Sequence, residues 1–105
     1  MMRFFQGCTA LVTGASSGLG AEFARQLAPL ASRLVLVARR KDRLEELAAD
    51  LRRFHPHLEV RIFAADLSSS DRRLALADWL ATEKIDINFL INNAGLGDQI
   101  GRAHV

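Results

Sequence analysis

Short apolar runs alternate with longer amphipathic stretches along this chain. Thr9-Ala10-Leu11-Val12-Thr13 is apolar on consecutive positions and stops at Gly14, the pattern of a strand buried on both faces. From Gly18 to about Ala28 the spacing becomes helical. Leu19, Phe23 and Leu27 fall at i, i+4 and i+8 and are expected to share one face. Pro29 lacks the N–H for a helical bond to the Arg25 carbonyl, so it is expected to bend or end this helix. Leu34-Val35-Leu36-Val37-Ala38 reads as a second buried strand. A second helix is predicted from Asp42 to about Arg53, with Asp42 as its cap and Glu45 completing a capping box. Leu44, Leu47, Ala48 and Leu51 form its apolar stripe. Glu59 to Ala64 is a third strand, and Ser68-Ser69-Ser70 offers caps for a third helix from about Asp71 to Glu83. That helix is expected to bury Leu76, Trp79 and Leu80. Ile85 to Ile91 reads as a fourth strand, stopping at Asn92-Asn93-Ala94-Gly95.

The order β-α-β-α-β-α-β predicts an α/β fold with a parallel sheet and right-handed crossovers. Composition agrees: 50% of residues are hydrophobic, 25% are charged and only 2 are Pro, so the chain is globular rather than disordered. Its 105 residues make one small domain at most, short for an enzyme with both a cofactor half and a substrate half. The 14 basic and 12 acidic residues are interspersed, so the net +2 reads as an ordinary solvated surface and not a nucleic-acid footprint. Cys8 is the single cysteine; it opens an apolar run and is expected to be a buried thiol, which excludes a disulfide scaffold. No clustered Cys/His set suggests a metal, and His55 and His57 flank Pro56 as a solvated loop pair. Met1 to Gly7 carries no apolar leader core, and no aliphatic run approaches a membrane span, so a cytoplasmic location is expected.

Thr13-Gly14-Ala15-Ser16-Ser17-Gly18-Leu19-Gly20 lies between the first strand and the first helix, where doubly wound sheets bind dinucleotides. Glycines at 14, 18 and 20 permit positive φ and close approach of a phosphate or neighbouring backbone. The N–H groups and dipole of the following helix favour an anion, and Ser16 and Ser17 add hydroxyl donors. The spacing is neither the commonest G-x-G-x-x-G nor a P-loop, since Leu19 follows Gly18 where a lysine would stand. A tight structural connection is the competing reading of the glycines alone.

Two motifs in this order make the chain similar to the N-terminal part of a short-chain dehydrogenase/reductase. Residues 13–20 match that family's T-G-x-x-x-G-x-G loop, and Asn92-Asn93-Ala94-Gly95 matches its N-N-A-G motif after the fourth strand. Asp66-Leu67 falls where the family carries an acidic residue after the third strand. The resemblance covers nearly the whole chain. It implies a Rossmann-like doubly wound sheet with strand order 3-2-1-4, broken off after the fourth strand. It implies a dinucleotide held by Gly14, Ser16, Ser17, Gly18, Leu19 and Gly20, with Asp66 and Leu67 at the adenine. Asn93, Ala94 and Gly95 would wall the cofactor ribose, while Asn92 is expected to be a structural amide tying strands together.

The end of the second strand bears on the choice between NAD and NADP. A carboxylate there would accept from the adenosine ribose and repel a 2′-phosphate. This chain has Ala38-Arg39-Arg40-Lys41 instead. Arg39 offers a planar fork suited to phosphate and Arg40 can assist, so NADP is favoured over NAD. A merely solvated turn is the alternative for these three cations.

The resemblance also implies hydride transfer between nicotinamide and a small carbonyl or alcohol substrate, in a protein that is a homo-oligomer when complete. It implies a tyrosine proton donor, a lysine four residues on, a serine and an asparagine, all downstream of N-N-A-G. This chain has no tyrosine, its lysines Lys41 and Lys84 precede the motif, and ten residues follow Gly95. No catalytic residue is therefore assigned. Ile100-Gly101-Arg102-Ala103-His104-Val105 fits neither the family nor a packed element. The codons ATC GGA AGA GCA CAC GTC would encode it, and that string matches a common sequencing adapter. Residues 100–105 are accordingly expected to be a non-native tail, with the natural chain continuing past Gln99; a flexible tail and the beginning of a substrate loop are the alternatives. The competing functions are a non-catalytic dinucleotide-binding or sensor module and, more distantly, a methyltransferase-like nucleotide binder. An apolar fourth strand, which the resemblance places at a sheet edge, leads us to expect that residues 1–105 alone aggregate or remain loosely folded, and lack dehydrogenase activity.

Overall fold

Strands that are apolar at every position need cover on both faces, and the computed structural model supplies it. The structure describes residues 7–93. They form β1 (Thr9–Thr13), α1 (Gly18–Leu27), β2 (Arg33–Ala38), α2 (Lys41–Phe54), β3 (Glu59–Ala64), α3 (Ser70–Thr82) and β4 (Phe89–Asn92). The four strands are parallel and ordered β3-β2-β1-β4, as expected for the doubly wound fold. Successive strand residues point to opposite faces. Ala10, Val12, Leu34 and Leu36 thus join a core under α1 and α2, completed by Ala24, Leu27, Leu44, Leu47 and Leu51. Leu11, Val35 and Val37 join a smaller core with Leu76 of α3 and Ile85. Phe63 and Trp79, with ring centroids 5.0 Å apart, and an Arg61–Glu83 ion pair fasten α3 to β3. Cys8 is a buried free thiol whose pKa burial pushes up.

Three local expectations are corrected. In α1, Leu27 is buried and Phe23 half-buried, but Leu19 is 60% exposed. The face turned inward is Gly20, Ala24 and Leu27, because the helix must bring Gly20 against the Gly14 carbonyl. In α2, Asp42 is not the cap. The helix begins one residue earlier, Arg40 occupies the cap position without a side-chain bond, and the Asp42 carboxylate is held by the Arg40 guanidinium. The predicted stripe of Leu44, Leu47, Ala48 and Leu51 is buried.

The third correction concerns β4, which begins at Phe89 rather than Ile85. The Ile85 N–H closes α3 by donating to the Leu80 carbonyl at 2.9 Å, and Lys84 donates to Ala81 at 3.1 Å. These two bonds make a Schellman motif with Lys84 at φ 58°. Ile85 and Ile87 then pack into the α3 core. Pairing begins only after Asn88, whose side-chain oxygen accepts from the Thr9 N–H while its own N–H donates to the Thr9 carbonyl, both at 2.8 Å. Pro29 behaves as predicted: α1 stops at Leu27 and the chain turns through Ala28 to Leu30.

Candidate cofactor site

Thr13 ends β1, and Gly14 turns the chain with φ 64°, the left-handed region that favours glycine. The loop folds back on the helix it starts. The Ser17 hydroxyl donates to the Gly14 carbonyl at 2.8 Å and accepts from the Gly20 N–H at 3.4 Å, capping α1. The Ala15 N–H reaches across to the Val37 carbonyl at 3.1 Å, fixing the loop to the end of β2. A Cβ on Gly20 would lie 2.1 Å from the Gly14 carbonyl oxygen, so this glycine is required by packing. Gly18 differs: a Cβ there would meet nothing within 4 Å. The N–H groups of Gly18 and Leu19 have no acceptor among the described residues. An open, methyl-free helix start with unclaimed donors fits an anionic group approaching from outside.

The loop forms one wall of a cleft of about 520 Å³ at the C-terminal ends of the strands. Gly14, Ser16, Ser17 and Leu19 come from the β1–α1 loop; Val37, Ala38 and Arg39 come from the end of β2. Ala65, Asp66, Leu67 and Ser68 come from the β3–α3 loop, and Asn93 follows β4. The position is the switch point between β1 and its two neighbours, and the volume lies within the range of cofactor and ligand pockets.

Hydrogen bonds hold the other walls. The Thr13 hydroxyl, in a residue only 3% exposed, donates to Asn92 Oδ1 at 2.9 Å and accepts from the Asn93 N–H at 2.7 Å. Asn92 therefore ties β4 to β1, as expected of a structural amide. Asn93 Nδ2 in turn lies 3.4 Å from the Ser17 hydroxyl. Across the cleft, Asp66 Oδ1 accepts from the Ser68 hydroxyl at 2.7 Å and the Ser68 N–H at 3.0 Å. Those two bonds, aided by the charge of Arg39, hold the Asp66 carboxyl below the usual carboxylate range. Arg73 donates to the Leu67 carbonyl at 2.7 Å and steadies the same loop.

A match to the short chain dehydrogenase family runs from residue 8 to residue 104. The chain belongs to that family. It is 42% identical over 97 residues to a very-long-chain 3-oxoacyl-CoA reductase of Podospora anserina, covering 90% of this chain and 28% of that protein. It superposes on L-sorbose reductase from Gluconobacter frateurii, solved with NADPH and L-sorbose, with a TM-score of 0.82 and 33% identity; 93% of this chain and 37% of that one are covered. A short-chain dehydrogenase from Sphingobium yanoikuyae in complex with NADPH gives a TM-score of 0.75 at 44% identity, over 87% and 35% of the two chains. The chain thus spans about a third of the length of these relatives.

Among the residues expected from sequence, this short-chain dehydrogenase fold gathers Gly14, Ser16, Ser17, Leu19, Arg39, Asp66, Leu67 and Asn93 around one cleft. Gly18 and Gly20 start the helix behind it without lining it, and Arg40 is turned to Asp42. Ala94, Gly95 and residues 100–105 lie outside the described residues. Sequence reasoning missed Thr13 and Ser68 as organisers. Each had a signal: a threonine before the turning glycine, and a serine two residues after a strand-end aspartate, the spacing of an Asx turn. No group of metal-ligating side chains occurs among the described residues, and none of their helices is long and apolar enough to cross a membrane.

Proposed function

We propose that this chain forms the cofactor half of an NADP(H)-dependent short-chain oxidoreductase. The observation that carries the choice of cofactor is Arg39. It stands on the cleft wall just past β2, where a carboxylate would select the unphosphorylated ribose. The nearest acid in sequence, Asp42, is already held by Arg40. Arg39 has no hydrogen-bonded or ion-paired carboxylate among the described residues, so its planar fork is available to a 2′-phosphate. The NADPH complexes of the sorbose reductase and the Sphingobium enzyme support the same reading.

Residues 14–20 would hold the pyrophosphate at the start of α1, with Gly18 admitting it and Ser17 keeping the loop shut against the helix. Asp66 and Leu67 would meet the adenine, and Asn93, Ala94 and Gly95 the ribose. The bound nicotinamide supplies the hydride chemistry, directed at a carbonyl or alcohol carbon of a small substrate. The proton-transfer residues belong to other parts of the complete protein, since this chain contains no tyrosine.

The test is the ratio of NADPH to NADH affinity in the complete protein, before and after Arg39→Asp. The substitution removes a charge-assisted hydrogen bond to the phosphate and puts a like charge in its place. The ratio should therefore fall at least tenfold, which corresponds to about 1.4 kcal/mol. An unchanged ratio would refute the role given to Arg39.

A further inference from the structure

Three cations follow one another after β2, and the structure treats each differently. Arg39 lines the cleft with no carboxylate hydrogen-bonded or ion-paired to it among the described residues, its charge acting on Asp66 without a direct contact. Lys41 lies 4.0 Å from Glu45, one turn on in α2. Arg40 is engaged more specifically: its Nε donates to Asp42 Oδ1 at 3.2 Å and its Nη2 to Asp42 Oδ2 at 3.0 Å. Both carboxylate oxygens thus face two donors of one guanidinium, the fork-on-fork arrangement that fixes direction as well as distance. Both residues are exposed, so the pair contributes little to stability, and its effect is on where the Arg40 donors point.

We propose that Asp42 is a specificity-setting residue: it holds Arg40 off the adenosine 2′-phosphate and so limits phosphate recognition to Arg39. This rests on the reading of the cleft as an NADP(H) site. Two arginines side by side would otherwise both close on a dianionic phosphate. Asp42 is placed by the first turn of α2 to take one of them, and the side chain it takes is the one that does not line the cleft. The carboxylate that a sequence reading assigns to helix capping therefore moderates affinity for the phosphorylated cofactor.

The experiment measures binding of 2′,5′-ADP and 5′-AMP to the complete protein by calorimetry, since their affinity ratio isolates the 2′-phosphate. Asp42→Asn should raise that ratio about two- to fivefold, the range for one exposed charge pair regained by the ligand. Arg40→Ala alone should leave the ratio near its wild-type value, and Arg40→Ala with Asp42→Asn should erase the gain. The ratio compares two ligands on one protein, so a general loss of folding cancels. A gain that survives in the double variant would mean that Asp42 acts only by its charge and would overturn the proposal. A fall in Arg40→Ala alone, comparable to that in Arg39→Asp, would overturn it too. If Arg39→Asp itself left the ratio unchanged, the NADP(H) reading would fall and this inference with it. If Arg39→Asp lowered the ratio and Asp42→Asn did not raise it, only the inference would fall.

Discussion

Gly18 and Gly20 sit two residues apart in the first turn of α1, yet alanine at each should have opposite consequences. At Gly20 an added Cβ would stand 2.1 Å from the Gly14 oxygen, 2.7 Å from its carbonyl carbon and 3.0 Å from the Ala15 Cα. All three are backbone atoms, so no side-chain rotation relieves the overlap. Restoring ordinary separation requires the loop and helix to part by more than about 1 Å, an overpacking cost of roughly 1–3 kcal/mol. The Gly14 carbonyl accepts from both the Ser17 hydroxyl and the Ser17 N–H, and moving it strains both bonds, at about 1 kcal/mol each. Alanine's better helix propensity returns at most about 1 kcal/mol. The net expectation for Gly20→Ala is a destabilisation of about 2–4 kcal/mol. At Gly18 the added methyl meets nothing and the backbone φ is ordinary, so Gly18→Ala should be neutral or stabilising by about 0.5 kcal/mol. Its methyl, however, would stand at the open end of α1, and NADPH affinity should fall at least tenfold. Urea denaturation of the complete protein and titration with NADPH read the two effects separately. Wild-type stability in Gly20→Ala would refute the packing argument. Wild-type affinity in Gly18→Ala would refute the placement of the phosphate.

Hydrogen bonds and backbone geometry lead to two more expectations. Ser68→Ala should raise the Asp66 pKa, because it removes the first of the two bonds that depress it; carboxyl carbon NMR would show the titration moving up, and no movement would break the assignment. The depressed carboxyl has a sign for pH as well: the Ser68 bonds are fully formed above the ordinary aspartate range and are lost as pH falls through the lower native value. Lys84→Gly should stabilise the protein by about 0.5–1 kcal/mol in denaturant unfolding, since it relieves a left-handed residue at a Schellman position against a smaller entropic cost in the unfolded chain; a decrease in stability would contradict that account.

The strands were legible in the sequence because a parallel sheet covered on both faces demands consecutive apolar residues, and few other structures do; their order in the sheet followed only from the resemblance carried by the two motifs. Leu34 to Ala38 could be read that way with no structure at hand, and β3 falls on the predicted residues. The glycine loop was legible because its glycines answer to backbone geometry, which leaves a fixed spacing. Legibility ended where a polar side chain had more than one available partner. Asp42 reads equally well as a cap or as an ion-pair partner, and only the direction of the Arg40 side chain decides. Leu19 reads as a core residue by its spacing, but the close approach of Gly20 to Gly14 rotates it outward to the cleft. Ile85 has the composition of a strand, and its N–H is taken by the end of α3 instead. In each case a local pattern is compatible with two arrangements, and one specific contact selects between them. Ile85 lies in the core beneath α3, but Leu19 lines the cleft and the Arg40–Asp42 pair lies beside it. That is where local propensity is weakest as a guide, because these side chains answer to a ligand as well as to the fold.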